Sequence, residues 1–186
     1  MADLKMPARR DPGIATCVKL KSVSLTPSLA MARFVFRGGG EAQAVCSRCL
    51  GLDLPCVALQ ATHKDDSVVL WQGPDEWLIM LSEALRAERL RALETALVHL
   101  PHSLVDVSQR NVGFVLTGRD VETLLNTACP LDLCQVAFPV GMTSRTIFAK
   151  ADVTLWRRAA DSFHVEVWRS FAPYVIGVLQ EGARGL

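Results

Sequence analysis

The chain contains the same succession of structural elements twice. Residues 34–38 (FVFRG) and 114–118 (FVLTG) both alternate like a strand and end in glycine. A helical segment follows each of them, and the tripeptide Leu-Asp-Leu comes after both helices, at residues 52–54 and 131–133. The sequence therefore predicts two copies of one folding unit, which limits the architectures that the chain can adopt.

The rest of each half continues the parallel. In the first half, Trp71 ends one strand and Trp77 begins another before a long helix. In the second half, Trp156 and Trp168 lie in two strands that precede a final helix. Each unit is thus predicted to contain a strand, a helix, three further strands and a second helix. Antiparallel sheets with helices packed on them give an α+β fold.

Domain organisation follows from the repeat. We expect residues 1–14 to form an N-terminal tail, and residues 15–101 and 102–186 to form two α+β units. The two units are predicted to pack tightly as one domain overall, because a chain of 186 residues has the length of one domain or of two closely packed halves.

Periodicity and turn residues set the predicted boundaries of the elements. Gly51, Pro101 and Gly182 are predicted to end helices, and Ser82 and Ser170 to cap them. Strands are predicted at residues 18–25, 33–37, 56–60, 68–71 and 77–81, a turn at 62–67, and helices at 41–50, 82–100 and 170–182.

Composition excludes several classes of protein. The chain has 20 basic and 19 acidic residues and a net charge of +1, and no basic cluster suggests a nucleic-acid partner. Half of the residues are apolar, which indicates either a generous core or apolar surface that a partner covers. The N-terminus lacks the apolar stretch of a secretory signal, and no apolar run approaches the roughly 18 residues of a membrane span. These features predict a cytoplasmic protein without membrane contact, whose six cysteines are thiols.

Four segments carry a family pattern: residues 70–80 (LWQGPDEWLIM), 104–118 (LVDVSQRNVGFVLTG), 129–133 (CPLDL) and 165–175 (VEVWRSFAPYV). In order and spacing they resemble the gamma subunit of heterotetrameric sarcosine oxidase, over roughly residues 15–182. The Asp-Val-Ser segment, the strand, the glycine, the helix and Leu-Asp-Leu also resemble folate-binding aminomethyltransferase-type domains. The resemblance implies paired ferredoxin-like halves.

The resemblance further implies a small subunit of a bacterial flavoenzyme complex with alpha, beta and delta partners. That complex oxidatively demethylates sarcosine to glycine with production of hydrogen peroxide, and the one-carbon unit passes to tetrahydrofolate or leaves as formaldehyde. In the family FAD and FMN lie on or beside the beta subunit, NAD and folate on the alpha subunit, and zinc on the delta subunit. No site is assigned to the gamma subunit, so the resemblance supplies no catalytic, cofactor-binding or metal-binding residue here.

Tryptophans and their neighbours in the family pattern are candidates for an interface. Tryptophans at strand ends commonly pack in a core, but they are also typical anchors of protein–protein contacts. The candidates are Trp71, Gly73, Pro74, Asp75, Glu76, Trp77, Trp168 and Arg169.

Asp106 and Ser108 are two further family-motif candidates, near the start of the aminomethyltransferase-like segment. Their side chains could line a pteridine pocket or bond to nearby backbone at a strand end. We favour the structural role, because the acidic signature of the transferases has no clear match and the chain is about half as long as such an enzyme. A stand-alone folate-binding protein of this kind remains the alternative function.

Cysteines and histidines suggest one metal hypothesis. Cys46 and Cys49 form a CxxC pair that could bind zinc together with Cys56 and His63. A second CxxC is missing, and a position in the middle of a helix does not favour a reactive thiolate, so buried thiols are the preferred interpretation. A zinc-dependent binding module is the third function class.

The glycines and the remaining histidines give weaker signals. Residues 38–40 (GGG) stand between a strand and a helix, but the chain lacks the further residues of dinucleotide and phosphate loops, so a plain turn is favoured. His99, His102 and His164 show no metal-ligand spacing, and His164 alternates outward from its apolar neighbours. Solvated or helix-capping roles are predicted for all of the histidines.

Overall fold

The computed structural model describes residues 17–28 and 31–186. Within them the strands are Val18–Leu20 (β1), Val23–Pro27 (β2), Met31–Gly38 (β3), Ala61–Lys64 (β4), Ser67–Gly73 (β5), Glu76–Ser82 (β6), His102–Asp106 (β7), Asn111–Thr117 (β8), Thr143–Phe148 (β9), Ala151–Ala159 (β10) and Ser162–Trp168 (β11). The helices are Gly40–Leu50 (α1), Arg86–Leu97 (α2), Val121–Asn126 (α3) and Ala172–Arg184 (α4).

The strands form two antiparallel sheets that exchange their leading strands. The six-stranded sheet has the order β1-β2-β8-β11-β10-β9, and the five-stranded sheet has the order β4-β5-β6-β3-β7. The hairpin of β1 and β2 comes from the start of the chain but pairs with β8, where Ser24 lies opposite Thr117. Conversely, β7 opens the second half but pairs with β3 of the first, where Val105 lies opposite Val35. Each sheet therefore contains strands from both halves of the chain.

Helices cover the outer faces of the sheets, and the inner faces pack on each other. Side chains of β3 that include Phe34 and Phe36 point outward and form a core with residues of α1 and α2. On the other sheet, α3 and α4 pack on a core that includes Phe114 and Phe163. A third apolar cluster fills the space between the sheets, with Leu70, Met80, Val107 and Trp156 among its members. These layers confirm the α+β class with antiparallel sheets.

The order of elements in the two halves is the same from β3 onward and from β8 onward, as the repeat predicted. Duplication and a division of the chain at residue 101 remain predictions. The predicted first helix is confirmed as α1. It ends at Gly51, whose left-handed backbone (φ 65°) allows its N–H to donate to the carbonyl of Ser47 at 2.9 Å.

Two predicted strands differ from the observed ones. Residues 18–25 form a hairpin rather than one strand, because Lys21 takes a left-handed conformation (φ 52°) and turns the chain. Residues 56–60 are a loop with Leu59 at φ 63°, and the predicted turn at 62–67 contains most of β4. The turn itself is at Asp65, with φ 51°. The loop is held by Trp77, whose indole N–H donates to the carbonyl of Pro55 at 2.9 Å.

The helix ends also differ. Ser82 ends β6 and makes no capping hydrogen bond, and a short 3₁₀ turn precedes α2, which ends at Leu97 rather than near residue 100. Ser170 lies inside a similar turn before α4. Helix α4 continues past Gly182 to Arg184. Gly182 does not end the helix but allows it to pack closely on the residues after α3, because a Cβ at this position would lie 2.8 Å from the hydroxyl of Thr127. None of the helices within the described residues has the length and apolarity needed to cross a membrane.

Candidate functional site

A charged cluster lies between the two sheets. Arg33 of β3 donates from Nε and Nη2 to the two carboxylate oxygens of Glu166 in β11, at 2.6 and 2.8 Å. His164 Nε2 lies 2.7 Å from the same carboxylate. The three residues are only 1–3 % exposed. Because an unpaired charge is very costly at such a position, this bidentate pair ties the two sheets together in one orientation.

Gly113 of β8 makes room for the cluster. It lies directly opposite Glu166 in the pairing of β8 with β11. A Cβ at this position would lie 2.2 Å from Glu166 Oε1 and within 3 Å of the end atoms of His164 and Arg33. The sequence therefore needs glycine here so that three charged or polar groups can approach the backbone.

Charge–charge contacts fix the ionisation state of Glu166. Burial raises the pKa of its carboxyl group, but Arg33 and His164 lower it by more, to about 2. The carboxylate is thus charged at any physiological pH. Two clefts flank the charged cluster. Glu166 lines the cleft at one end of the sheet sandwich, and His164 lines the cleft at the other end.

Asp106 and Ser108 are brought together at the junction of β7 and β8. Asp106 accepts hydrogen bonds from the backbone N–H of Ser108 at 2.9 Å and from Arg86 at 2.6 and 2.8 Å. Ser108 Oγ accepts from the backbone N–H of Arg33 at 2.8 Å. Burial raises the pKa of Asp106, but Ser108 and Arg86 lower it below its usual value. Both candidate side chains are therefore used within the fold, where they join β7 to β3 and α2.

The first cleft has a volume of about 630 Å³ and opens between the sheets. Arg37, Arg110 and Arg145 reach it from three separate segments. The rim also carries the apolar side chains Val105 and Ile147, which are 49 % and 48 % exposed. A cleft of this size with both charged and apolar walls can accommodate several side chains or a small ligand.

The second cleft, of about 490 Å³, opens at the other end of the sandwich. Its wall contains the ring of Trp156, which lies 5.8 Å from His63 and 6.2 Å from His164 between ring centres. The guanidinium of Arg158 lies over the same indole at 5.5 Å. His164 is buried, because the face of β11 that points away from α4 packs on the other sheet. The solvated role predicted for His164 is therefore wrong.

The tryptophan hairpin of β5 and β6 divides into buried and exposed parts. Trp77 is 1 % exposed and stacks on Phe36, while its pairing partner Trp71 is only half-buried. Gly73, Pro74, Asp75 and Glu76 form the turn between the strands. The two acidic residues of that turn meet arginines: Asp75 lies 2.9 Å from Arg37, and Glu76 lies 3.3 Å from Arg145.

Trp168 ends β11 at the rim of the first cleft and is 44 % exposed. Arg110 lies over its ring at 5.4 Å, and Phe171 is 6.5 Å away between ring centres. Arg169 donates from Nε to the carbonyl of Gln109 at 2.9 Å. Trp168 is thus the tryptophan candidate with the largest accessible ring, and its interface role remains a prediction.

The predicted cysteine pair lies within α1. Cys46 is buried, and burial together with the nearby Cys49 raises the pKa of the Cys46 thiol to about 12. Cys56 is exposed and receives a hydrogen bond from Gln43 at 3.1 Å, while His63 lies beside Trp156. Within residues 17–28 and 31–186, no group of three or more His, Cys, Asp or Glu side chains could hold a metal ion.

Comparisons with solved structures define the class of fold. A heterotetrameric sarcosine oxidase from Corynebacterium sp. U-96 matches with a TM-score of 0.86, 25 % identity and 95 % coverage of both chains. Aminomethyltransferase T of the glycine cleavage system from Bartonella henselae matches with a TM-score of 0.63 and 13 % identity, over 83 % of this chain and 44 % of that one. The chain is therefore an α+β protein with an aminomethyltransferase-like fold.

Sequence comparisons identify the family. The family model described as sarcosine oxidase, gamma subunit family, matches residues 39–184. The sarcosine oxidase subunit gamma of Corynebacterium sp. (strain P-1) is 29 % identical over 163 residues, which span 87 % of this chain and 78 % of the relative. The corresponding protein of Arthrobacter sp. is 33 % identical over 130 residues, or 68 % and 62 % of the two chains. The chain belongs to the sarcosine oxidase gamma subunit family.

Proposed function

We propose that this chain is the gamma subunit of a cytoplasmic heterotetrameric sarcosine oxidase and assembles with alpha, beta and delta subunits. The observation that carries the proposal is the structural match to a heterotetrameric sarcosine oxidase, which extends over 95 % of both chains. A match of that extent means that the two chains share the same set of structural elements.

The role of the chain in this complex is assembly rather than catalysis. Two contacts support this: Asp106 is bound to Arg86, and Ser108 bridges to the backbone of Arg33. These polar family-motif residues therefore stabilise the attachment of β7 to α2 and β3. The oxidative demethylation of sarcosine to glycine, with formation of hydrogen peroxide, would take place on the partners. They would also hold FAD, FMN, NAD, tetrahydrofolate and zinc, and the one-carbon unit would leave as formaldehyde or on tetrahydrofolate.

Affinity purification tests the proposal. The tagged chain is expressed in its native host grown on sarcosine, and the eluate is analysed by mass and by flavin absorbance, with an untagged strain as the control. We expect stoichiometric recovery of a large subunit and a yellow flavoprotein that oxidises sarcosine. Recovery of a colourless chain alone, at its own mass of 20.3 kDa, contradicts the proposal.

The second candidate function is a stand-alone folate-binding protein. The cleft of about 630 Å³ favours it, because Arg110 and Trp168 at its rim offer a cation and a ring to an anionic aromatic ligand. Titration of the isolated chain with tetrahydrofolate separates the two functions. Micromolar binding by the monomer would support the second, whereas the assembly role predicts no saturable binding at that concentration.

A further inference from the structure

We infer that the first cleft is a docking site for a segment of another oxidase subunit, which inserts an acidic side chain beside an apolar one. The inference rests on the proposed function and adds the surface and the chemistry of the contact. We call this surface the arginine cleft and define it by Arg37, Arg110 and Arg145 together with Val105, Ile147 and Trp168.

Exposed apolar side chains gather at the arginine cleft. Val105, Ile147 and Trp168 are 44–49 % exposed although all three line the same cavity. Large apolar side chains are individually common on surfaces, but three around one cleft mark a contact site. Insertion of an apolar side chain from a partner would remove these groups from water, and an aromatic anchor such as Trp168 is typical of the residues that dominate binding.

One arginine at the cleft favours a partner that brings a carboxylate. Arg37 pairs with Asp75 at 2.9 Å, and Arg37 and Arg145 share Glu76, with nitrogen–oxygen distances of 3.9 and 3.3 Å. Asp152 is a further acidic residue that lines the cleft. Glu166 adds no free negative charge, because it is neutralised by Arg33. Arg110 is therefore the arginine of the cleft for which the described residues supply no ion pair, and a carboxylate from a partner would form charge-assisted hydrogen bonds with it.

Arg110 is the arginine best placed for this contact. Its Nε donates to the side-chain oxygen of Asn111 at 3.1 Å, and its guanidinium lies over Trp168. Among the ion pairs found in the described residues, none involves Arg110. The guanidinium lies 5.4 Å from the centre of the ring, and its remaining N–H groups can donate two parallel hydrogen bonds to a carboxylate.

The position of the cleft suits a protein segment. Val105 belongs to β7 and Ile147 to β9, and each of these strands is the edge of its sheet. Edge strands present unpaired backbone groups, which natural proteins cover or pair. An extended segment that runs along the exposed edge of β7 can bond to backbone as well as to side chains.

Charge reversal tests the inference in the assembled complex. Arg110→Glu and Trp168→Ala are introduced into the tagged chain, which is co-expressed with the other subunits, and recovery of the partners is measured. We expect each variant to lower recovery at limiting concentration about tenfold or more, since an anchor of this type contributes upward of about 1.4 kcal/mol. Thermal unfolding of each isolated variant confirms that the chain is folded.

Matched controls lie away from the cleft. Arg119→Glu reverses an exposed charge that contacts only the neighbouring Asp120 among the ion pairs of the described residues, and Val136→Ala shortens an apolar side chain that is 94 % exposed. Both should leave recovery unchanged. Normal recovery with Arg110→Glu and Trp168→Ala overturns the docking site while the proposed function stands. Failure of the unchanged chain to recover partners overturns the proposed function and the docking site together.

A photo-crosslinking residue at Val105 identifies the occupant. We expect a crosslink to one segment of another subunit, with an acidic residue whose reversal to arginine restores assembly with Arg110→Glu. A crosslink to a second copy of this chain, or to a segment without an acidic residue, overturns the inference. If either isolated variant unfolds at a lower temperature, Ile147→Asp replaces it, because Ile147 is 48 % exposed and contributes little to the core.

Discussion

Position 113 shows how strongly one residue can constrain this fold. The end atoms of Arg33, His164 and Glu166 converge on it, and all three residues are buried. Flexible side chains normally move aside for a methyl group. Here each is bonded to another, so a shift of one breaks the ion pair that joins the sheets. Glycine is therefore required by the cluster even though its own backbone is ordinary strand.

Gly113→Ala should lower the free energy of unfolding by about 3 kcal/mol, from overpacking and loss of the buried pair. Urea denaturation followed by circular dichroism measures the change. The matched control is Gly177→Ala within α4, where a Cβ meets no atom within 4 Å. That control should be stabilised by about 0.5–1 kcal/mol because alanine favours the helix. Equal stability of Gly113→Ala and the unchanged chain would contradict the packing argument.

Glu166→Gln should destabilise the chain at pH 7 by about 3–5 kcal/mol, because Arg33 would keep a buried charge without its partner. The folded-state pKa of Glu166 lies below its usual 4.5, at about 2. Its contribution is therefore complete above pH 4.5 and is lost as the pH falls towards 2. Urea unfolding as a function of pH should show the difference between the two proteins shrinking across that interval.

The control for this pH dependence is Glu181→Gln, which removes a carboxylate that is 66 % exposed and pairs with Arg184 on the surface. A surface pair of this kind contributes little, so this variant should follow the unchanged chain at every pH. A constant difference between Glu166→Gln and the unchanged chain down to pH 2 would show that the charge of Glu166 does not stabilise the sheets.

At the scale of elements, α1 decides the reactivity of the CxxC pair. The helix turns Cys46 into the core, where burial raises the pKa of its thiol to about 12, while Cys17 and Cys56 are exposed. A maleimide at neutral pH should label Cys17 and Cys56 first and leave Cys46 unlabelled, as read by mass spectrometry of the peptides. Labelling in denaturant is the control and should modify all six cysteines. Rapid labelling of Cys46 in the folded chain would contradict its position in the core.

Strong local signals made much of the element list predictable. The alternation at residues 33–37 and the glycine at 51 identify β3 and the end of α1 correctly. The loop at 52–59 was not predictable from local pattern, because one of the contacts that hold it comes from Trp77, which is distant in sequence. The same limit applies to residue 59, whose positive φ gives no signal in a leucine.

The charged cluster of Arg33, His164 and Glu166 was also not predicted from the sequence, because it too depends on contacts between distant segments. The alternation of His164 with its apolar neighbours predicted a solvated face for β11, but both faces of that strand are buried. Arg33 and Glu166 pair only because two separate sheets meet, and no spacing within either strand records that contact. The available signal was the presence of opposite charges in two strands that are otherwise apolar. At the candidate site, Trp168 was identified from the family pattern, whereas Arg37, Arg110 and Arg145 were not.

At the scale of the whole molecule, the exchange of strands joins the halves. The segment 15–101 lacks β7, the partner of β3, and the segment 102–186 lacks β2, the partner of β8. Expressed separately, each should fail to unfold cooperatively in urea, and mixing them should restore one cooperative transition. The control is the full chain cleaved after residue 101, which should stay assembled on size-exclusion chromatography. Cooperative unfolding of 15–101 alone would contradict this interdependence.

The exchanged hairpin also sets an order in time during synthesis on the ribosome. Ser24 of β2 contacts Thr117 of β8, which emerges 93 positions later. The five-stranded sheet becomes complete once β7 has emerged, so β1 and β2 find their place only after that sheet has formed. We expect nascent chains stalled so that β7 but not β8 has left the ribosome to resist protease in β3–β6 while remaining cleavable near β2. Simultaneous protection of both regions would contradict this order. A chain that folds in this order carries an unpaired β1–β2 hairpin until β8 has emerged, and the cell must keep the edges of that hairpin from other chains.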